Sequence, residues 1–368
     1  MQITFNRTKL NQVLYFVKHS IPTKEIEPVL NNLYFKTVSG GKVQVVSTDY
    51  DLMAIAECDA TYSEEAAFTV PAAKLLSLVQ KLNGEFIVFD VDETQIKITC
   101  DSYEGTFPTI DAETYPEIKT LMDTSKAATL ERKMLSHALM RVQFAANKDE
   151  ARKNLSAVEV SPAGFVASNG KVTSIYRQEL AIEKLYISTN CLDDLIAVLE
   201  ASKAENCEIY SDAAYLIFKL DNDIFFTRRC DVDFPDVFGR IDAKAIEKNT
   251  NTLSFSVKSL KSSIQRIALT ASEDTKLVKF TLEAADKVRV ASYDKTMSSS
   301  ELIDAKFPQE LLTGENKVEL SFNYDYLLSI LCKYASEDIE FKFAEDIRIP
   351  VSINEANWTA YVMRLLEA

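Results

Sequence analysis

The sequence predicts an α+β chain of three tandem, similar domains, each with two helices packed on antiparallel sheets. Three observations predict it. The stretches "ITFNRTKLNQVLYFVKHSI" from Ile3, "ATLERKMLSHALMRVQFAA" from Ala128 and "LSFSVKSLKSSIQRIALTA" from Leu253 follow one pattern, and their leucines Leu10, Leu135 and Leu260 stand 125 residues apart in each interval. After each comes a pair of runs alternating at period two about a turn signal, the mark of a hairpin half buried in a core. A second amphipathic segment then recurs in every copy. A chain of 368 residues also exceeds what one hydrophobic core usually serves, which favours several domains.

In the first copy a short strand from Ile3 gives way at polar residues to a helix. The hairpin "LNNLYFKTVSGGKVQVVSTDYDLMAIAEC" turns at Ser39-Gly40-Gly41, the helix "VPAAKLLSLVQKL" follows with Leu75, Leu78 and Val79 on one face, and "EFIVFDVDETQIKITC" closes the unit. The second copy repeats this order with "LSAVEVSPAGFVASNGKVTSIYRQEL", turning at Ser161–Gly164, a helix with Leu192, Leu195 and Ile196, and "AAYLIFKLDNDIFFTRRC". The third has "VKFTLEAADKVRVASYDKTMSSSELI", turning at Ala284-Ala285-Asp286, a helix with Leu327, Ile330 and Leu331, and "DIEFKFAEDIRIPVSI". Two segments rich in turn and breaker residues separate the copies, "PTIDAETYPEIKTLMDTSKAA" and "DFPDVFGRIDAKAIEKNTN". The expected domains are 1–124, 125–248 and 249–368.

Composition narrows the function. Apolar residues at 47% and charged residues at 26% are ordinary for a globular protein. The N-terminus lacks the pattern of a signal peptide and no apolar run approaches the roughly 18 residues of a membrane span, so a soluble, cytoplasmic protein is expected. Six widely spaced cysteines without a C-x-x-C pair read as buried free thiols in a reducing compartment. The P-loop, the dinucleotide fingerprint, the nucleophile elbow and H-E-x-x-H are all missing, and two histidines and eight glycines leave little for acid/base dyads, metal sites or phosphate-cradling loops. Asp231, Asp233 and Asp236 are spaced to hold a divalent cation in principle, but loop carboxylates of an acidic chain are commonly just solvated; His137 likewise reads as a structural helix residue. No enzyme, cofactor or metal is expected.

A net charge of −14 argues against a protein that grips nucleic acid by phosphate contacts alone. The basic residues are nevertheless organised. They gather on the helices as Lys9 and Lys18, Lys74 and Lys81, Arg132, Lys133 and Arg141, and Lys258, Lys261 and Arg266, with Lys148, Arg152 and Lys153 in the loop "NKDEARKN". A solvated helix face explains any one of them; recurrence in all copies points to a basic lining.

The stretches "EPVLNNLYF" (27–35), "STDYDL" (47–52), "FTVPAAKLLSLV" (68–79), "VDFPDVFGRI" (232–241), "SFNYDYLLSIL" (321–331) and the closing "AYVMRLLEA", in this order and spacing, resemble the bacterial DNA sliding clamps, the beta subunits of the replicative DNA polymerase III holoenzyme. The resemblance covers the whole chain. It implies the DNA-clamp fold, a homodimeric ring of head-to-tail subunits with sheets outside and helices lining a hole for duplex DNA, and a processivity factor that tethers the replicative polymerase and other replication and repair proteins. Such a ring needs only a mildly basic lining, which reconciles the acidic total with DNA. By this resemblance Lys24, Lys74, Lys81, Arg141, Lys148, Arg152, Lys153, Lys261 and Arg266 face DNA. Tyr103 and Phe107 on one side, with Ile267, Leu269 and Thr270 on the other, form the dimer interface.

Clamp partners, polymerase and clamp loader among them, insert a short linear motif such as Gln-x-x-Leu-Phe into an apolar pocket. Carried over by position, this pocket comprises Leu155, Ser168, Gly170, Val172, Pro235, Asn323, Tyr326, Tyr361, Val362, Met363, Arg364 and Leu365. The chain departs from the family at several points. Ala73 replaces a basic residue, Thr189-Asn190 replace an Arg-Lys pair, "SNGKVT" at Ser168–Thr173 replaces Thr-Asp-Gly-His-Arg-Leu, and the tail lacks Met-Pro while Leu366, Glu367 and Ala368 extend it. These departures keep open an alternative of another class, a clamp-like interaction protein of phage, plasmid or paralogue type that binds or sequesters replication partners without loading on DNA. The tail itself is expected to complete the last strand through Tyr361-Val362 and then to wall the pocket.

Overall fold

The first helix of each copy begins at the same structural joint. The seven α-helices among the described residues are α1 (Arg7–Val17), α2 (Ala72–Lys81), α3 (Arg132–Val142), α4 (Leu192–Ala201), α5 (Ala243–Lys248), α6 (Val257–Ile267) and α7 (Tyr324–Lys333). The backbone N–H of Arg7 donates to Glu85 O (2.9 Å), that of Arg132 to Glu205 O (3.0 Å) and that of Val257 to Glu337 O (2.8 Å). One otherwise orphan N–H of each helix start is thereby tied to the residue that follows the second helix of its copy. The strands before these helices share a register too, with Ile3 opposite Phe89, Ala128 opposite Ile209 and Leu253 opposite Phe341. Asn6 caps α1, its side-chain oxygen accepting from the N–H groups of Thr8 (3.1 Å) and Lys9 (3.2 Å).

The computed structural model describes residues 1–24, 27–121, 124–283, 286–294, 296–312 and 318–365, with the backbone alone at 150 and 151. The turn expected at Ala284-Ala285 and the tail extension Leu366, Glu367 and Ala368 lie outside the described residues. The chain forms two compact units, one of Met1–His137 with Asn190–Cys230 and the other of Ala138–Thr189 with Asp231–Ala368.

The first unit holds a twelve-stranded antiparallel sheet. Its key strand is Leu52–Tyr62, eleven residues long, which pairs with Gln2–Asn6 near one end (Ile3 opposite Tyr62) and with Asp223–Arg228 near the other (Ile224 opposite Ile55). The closing hairpins of the second copy thus extend the sheet of the first. Phe5, Phe35, Phe68 and Phe89 interlock at centroid distances of 5.1–6.4 Å and fill the core beneath α1. Strand Tyr103–Pro108 is a free edge of this sheet.

The second unit contains an eight-stranded and a four-stranded sheet, both antiparallel. In the larger, Val172–Arg177 of the second copy pairs with Trp358–Val362 of the tail, from Val172 opposite Val362 to Tyr176 opposite Trp358. The tail strand is therefore interior, paired on its other side with Val351–Glu355, and all five of its residues are buried. Phe255, Phe280, Phe322 and Phe341 repeat the aromatic quartet at 5.6–6.3 Å. Strand Ser298–Asp304 is a free edge of the smaller sheet.

Two local expectations change. The segment read as a linker after "DFPD" forms a five-residue π turn, Phe238–Asp242, that runs into α5, because beyond Gly239 "RIDAKAIEK" carries no breaker and several good helix formers. None of the six cysteines is in a disulfide, but Cys230 is half-buried and Cys332 exposed; burial pushes the thiols of Cys58, Cys191 and Cys207 up to about 12, which leaves them protonated and inert. No helix among the described residues is long and apolar enough to cross a membrane.

Candidate functional site

The site starts from a turn. Ser168 ends one strand and Val172 begins the next, so the chain must reverse within Ser168–Val172. The side chain of Asn169 accepts from the N–H groups of Lys171 (2.9 Å) and Val172 (2.9 Å), while Ser168 Oγ accepts from Gly170 N–H (3.2 Å) and donates to Val172 O (3.3 Å). Such bonds are why Ser and Asn favour turns. They place Gly170 at φ +83°, and a Cβ there would lie 2.9 Å from Arg152 Nη1 and 3.7 Å from Leu155 Cδ1.

Against this turn lie three further segments of the same unit. Tyr361 lies within the tail strand with its hydroxyl donated to Asp242, which also receives Arg177; burial pushes the Tyr361 phenol well above its ordinary range. Met363 follows, its N–H bonded to Lys171 O (2.9 Å). The π turn and α5 supply Arg240, Ile241 and Lys244, and the loop before strand Val351–Glu355 supplies Arg348, Ile349 and Pro350. Together with Ser168, Lys171 and Thr173 they enclose a cavity of about 200 Å³. Its volume falls below the roughly 300–1,000 Å³ of small-molecule sites and suits one or two anchoring side chains of a larger ligand. Beneath it Leu155, Val166, Ile175, Phe234, Val237 and Tyr361 form a buried apolar cluster.

Of the residues expected in a partner pocket, Ser168, Gly170, Tyr361 and Met363 line this cavity. Leu155 supports it from the core. Val172 and Val362 face each other as a fully buried strand pair, and Pro235 is half-buried in the loop before the π turn. Arg364 donates through Nη2 to Asp346 O, and burial lowers its pKa. Leu365 N–H donates to Ser321 O (2.8 Å), beside the strand that leads to Asn323, which caps α7 through Asp325 N–H (2.9 Å), and to Tyr326 on that helix. The expectation missed Arg240, Ile241, Lys244, Arg348, Ile349 and Pro350, and also Lys171 and Thr173 beside the turn. The signal for the first three was present in "GRIDAKAIEK", a cationic amphipathic run inside a presumed linker.

The expected DNA-facing residues divide. Lys24, Lys74, Lys81, Lys148 and Lys153 are exposed and Lys261 is half-buried. Arg152 donates to Asn169 O (3.0 Å), bracing the turn described above. Arg266 is exposed but holds Glu301 through two bonds of 3.1 and 2.6 Å. Arg141 is committed elsewhere: it pairs with Glu355 at 2.8 Å with side-chain exposures of 14% and 10%, and its guanidinium lies 4.7 Å from the Trp358 ring centre. Arg132, counted on sequence among the helix-face cations, is buried and donates to Leu199 O (2.6 Å) and Ala204 O (2.8 Å), capping the end of α4.

At the expected dimer interface, Tyr103 and Phe107 are half-buried on the edge strand Tyr103–Pro108. Leu269 is 79% exposed, whereas Ile267 is only 2% exposed and belongs to its own core. Thr270 is half-buried and bonded to Ser292 Oγ (2.9 Å) and Ser299 Oγ (2.5 Å). Tyr293, Met297 and Leu302 add further exposed apolar surface, Leu302 on the free edge Ser298–Asp304. Among the described residues no group of three His, Cys, Asp or Glu side chains is placed to hold a metal ion; Asp236 instead accepts from Gly239 N–H (2.8 Å).

Comparison with known proteins bears on both fold and site. A family model of the DNA polymerase III beta subunit N-terminal domain matches residues 1–119, and one of its C-terminal domain matches residues 246–364. The beta sliding clamp of Streptococcus pneumoniae is 25% identical over 387 aligned positions, covering all of this chain and 98% of the relative. That of Synechococcus elongatus is 22% identical and covers 93% of this chain and 92% of the relative. Among solved structures, the DNA polymerase III beta subunit of Thermotoga maritima superimposes with a TM-score of 0.87 at 21% identity, over the whole of both chains. A sliding clamp of Bartonella birtlesii bound to griselimycin gives 0.88 at 21% identity, again over the whole of both.

Proposed function

The chain belongs to the DNA polymerase III beta subunit family, and from this premise we propose that it is a DNA sliding clamp, a ring-forming processivity factor that holds the replicative polymerase on duplex DNA. The carrying observation is that both terminal domains match the family while the full chain adopts the fold of its clamps end to end. In this reading the chain is a non-catalytic accessory subunit acting in the cytoplasm, built from domains bounded near residues 124 and 248. The two free sheet edges supply its dimer contacts, Tyr103–Pro108 of one subunit meeting Ser298–Asp304 and Leu269 of the other, since unpaired edges are ready templates for strand addition. Two identical interfaces then close the ring. Lys24, Lys74, Lys81, Lys148, Lys153 and Lys261 form the DNA-facing set, with Arg152 and Arg266 contributing and Arg141 excluded by its ion pair. The cavity beside Gly170 takes the linear motifs of polymerase and loader.

The test is topological. The protein should sediment as a homodimer of about 83 kDa, twice 41.4 kDa, and after loading stay on nicked circular DNA at salt that abolishes phosphate contacts. It should leave once that DNA is linearised; equal retention on both forms overturns the reading. A second reading, a clamp-like protein that captures partners without loading, is favoured by the commitment of Arg132 and Arg141 to the fold and by Thr189, which is buried and donates to Asn147 O (3.0 Å). It prevails if partner peptides bind while the host loader fails to place the protein on primed DNA.

A further inference from the structure

The charge around the cavity beside Gly170 runs against the charge of the chain. Overall there are 55 acidic and 41 basic residues, yet the cavity wall carries Lys171, Arg240, Lys244 and Arg348 and not one carboxylate. The other two cavities described are different: in one Lys9, Lys42 and Lys203 face four carboxylates, and in the other Lys306 stands among Asp286, Asp304, Asp338 and Glu340. All four cations beside Gly170 are exposed. Among the described residues Lys171, Arg240 and Lys244 form no ion pair, and only Arg348 does, with Asp346 at 2.9 Å. Asp346 is held down to about 2, first by its hydrogen bonds from Arg348, with Lys244 adding to the field.

The floor is apolar, with Ile241, Ile349, Pro350, Tyr361 and Met363. An apolar floor with a cationic rim neutralised only at Arg348 fits one kind of occupant. We propose that this cleft selects linear peptides in which the apolar anchor is flanked by aspartate or glutamate, the anchor filling the floor and the flanking carboxylates meeting Lys171, Lys244 and Arg348. The proposal rests on the cleft being the partner site. It adds the chemistry by which this chain ranks its partners. Nucleic acid fits less well, since a cleft of about 200 Å³ does not track a phosphate backbone as a continuous groove would.

The rim is solvated, so each pair contributes modestly and the effect is set by salt. Two fluorescein-labelled nonapeptides test it on the full-length protein, Gln-Ser-Ser-Leu-Phe flanked on each side by two aspartates or by two asparagines. At 50 mM NaCl the aspartate peptide should bind about tenfold tighter, falling to within about twofold at 300 mM as screening removes the exposed pairs. The variant K171Q/K244Q/R348Q should lose that preference, the ratio of its affinities for the two peptides falling to within about twofold at 50 mM NaCl, and K171E/K244E should come to prefer a lysine-flanked peptide. Equal affinities for the first two peptides at 50 mM, with both bound, overturn the acidic selection and leave the partner site standing. Failure of both to bind overturns the partner-site reading together with it. Displacement of the aspartate peptide by a dT nonamer at equal concentration assigns the rim to nucleic acid and overturns the proposal.

Discussion

The turns Thr48–Leu52 and Ser168–Val172 are built alike and serve different ends. In the first, Asp49 accepts from the N–H groups of Asp51 (3.0 Å) and Leu52 (2.7 Å), Thr48 Oγ1 accepts from Tyr50 N–H (3.1 Å) and donates to Leu52 O (2.7 Å). The second repeats each bond with Asn169, Ser168, Gly170 and Val172. Even the left-handed residue matches, Tyr50 at φ +75° and Gly170 at φ +83°. The difference teaches what Gly170 is for. Since tyrosine occupies the same backbone conformation in the first turn, side-chain hydrogen bonding and not glycine makes the turn. At residue 170 glycine leaves room for Arg152 and Leu155, which a Cβ would approach to 2.9 and 3.7 Å.

The largest test of this contrast is Gly170→Phe. A non-glycine residue at this φ costs about 1–2 kcal/mol, a cost the first turn already bears at Tyr50, so the variant should fold and dimerise. Its ring should push against Arg152 and Leu155, disturb the cleft that Leu155 supports from the core and weaken partner-peptide binding by more than about thirtyfold, the loss of some 2 kcal/mol of a central anchor. Tyr50→Gly should leave peptide affinity unchanged. Anisotropy titration with the asparagine-flanked peptide measures both, and an unaltered affinity for the phenylalanine variant would remove the peptide from this cleft.

A smaller effect tests the shared hydrogen bonding. Asp49→Ala and Asn169→Ala each strip two backbone N–H groups of their acceptor, at about 1–3 kcal/mol apiece. Thermal melts should show comparable drops in Tm for the two, and only Asn169→Ala should also disturb peptide binding, because Lys171 rides on its turn. A cost at one position and none at the other would break the equivalence of the turns.

Both turns entered through the family resemblance, although what makes them turns is local. "STDYDL" and "SNGKVT" place Ser, Thr, Asp and Asn where they bond backbone groups two or three residues away, and the helices and hairpins likewise declare themselves through local periodicity. The far wall of the cleft did not. Arg240, Ile241 and Lys244 were hidden in a segment that read as a linker, and Arg348–Pro350 in a run that read as strand; nothing local tells that these meet Tyr361 and Met363. Counting cations on helices overstated how many stand free of the fold for the same reason: Arg132 finds the carbonyls of Leu199 and Ala204, and Arg141 finds Glu355, some 70 and 210 residues away. Ile267 was grouped with Leu269 by position in the family resemblance, whereas the chain turns the first into the core and the second out.

The two turns also differ by one charge, and this gives the smallest effect. Asp49 is half-buried, and burial raises its pKa above the ordinary 3.8 against the opposing pull of the Leu52 and Asp51 N–H groups; the nearby Asp51 carboxylate adds to the rise. Because the folded pKa lies above the unfolded one, the ionised carboxylate disfavours the fold. The stability that Asp49 contributes is complete below the unfolded pKa and is lost as pH rises through the folded value. Asn169 accepts the same two bonds without a charge. Asp49→Asn should therefore raise Tm slightly at pH 7.5, and the gain should vanish at about pH 2.5, well below the unfolded pKa, where Asp49 is protonated in both states. In the second turn Asn169→Asp should lower Tm less than Asp49→Asn raises it, since Arg152 and Lys171 stand beside the new carboxylate. A lower Tm for Asp49→Asn at both pH values would mean that the charge strengthens the two N–H bonds by more than burial costs, and that the turns share a geometry but not an energetic basis.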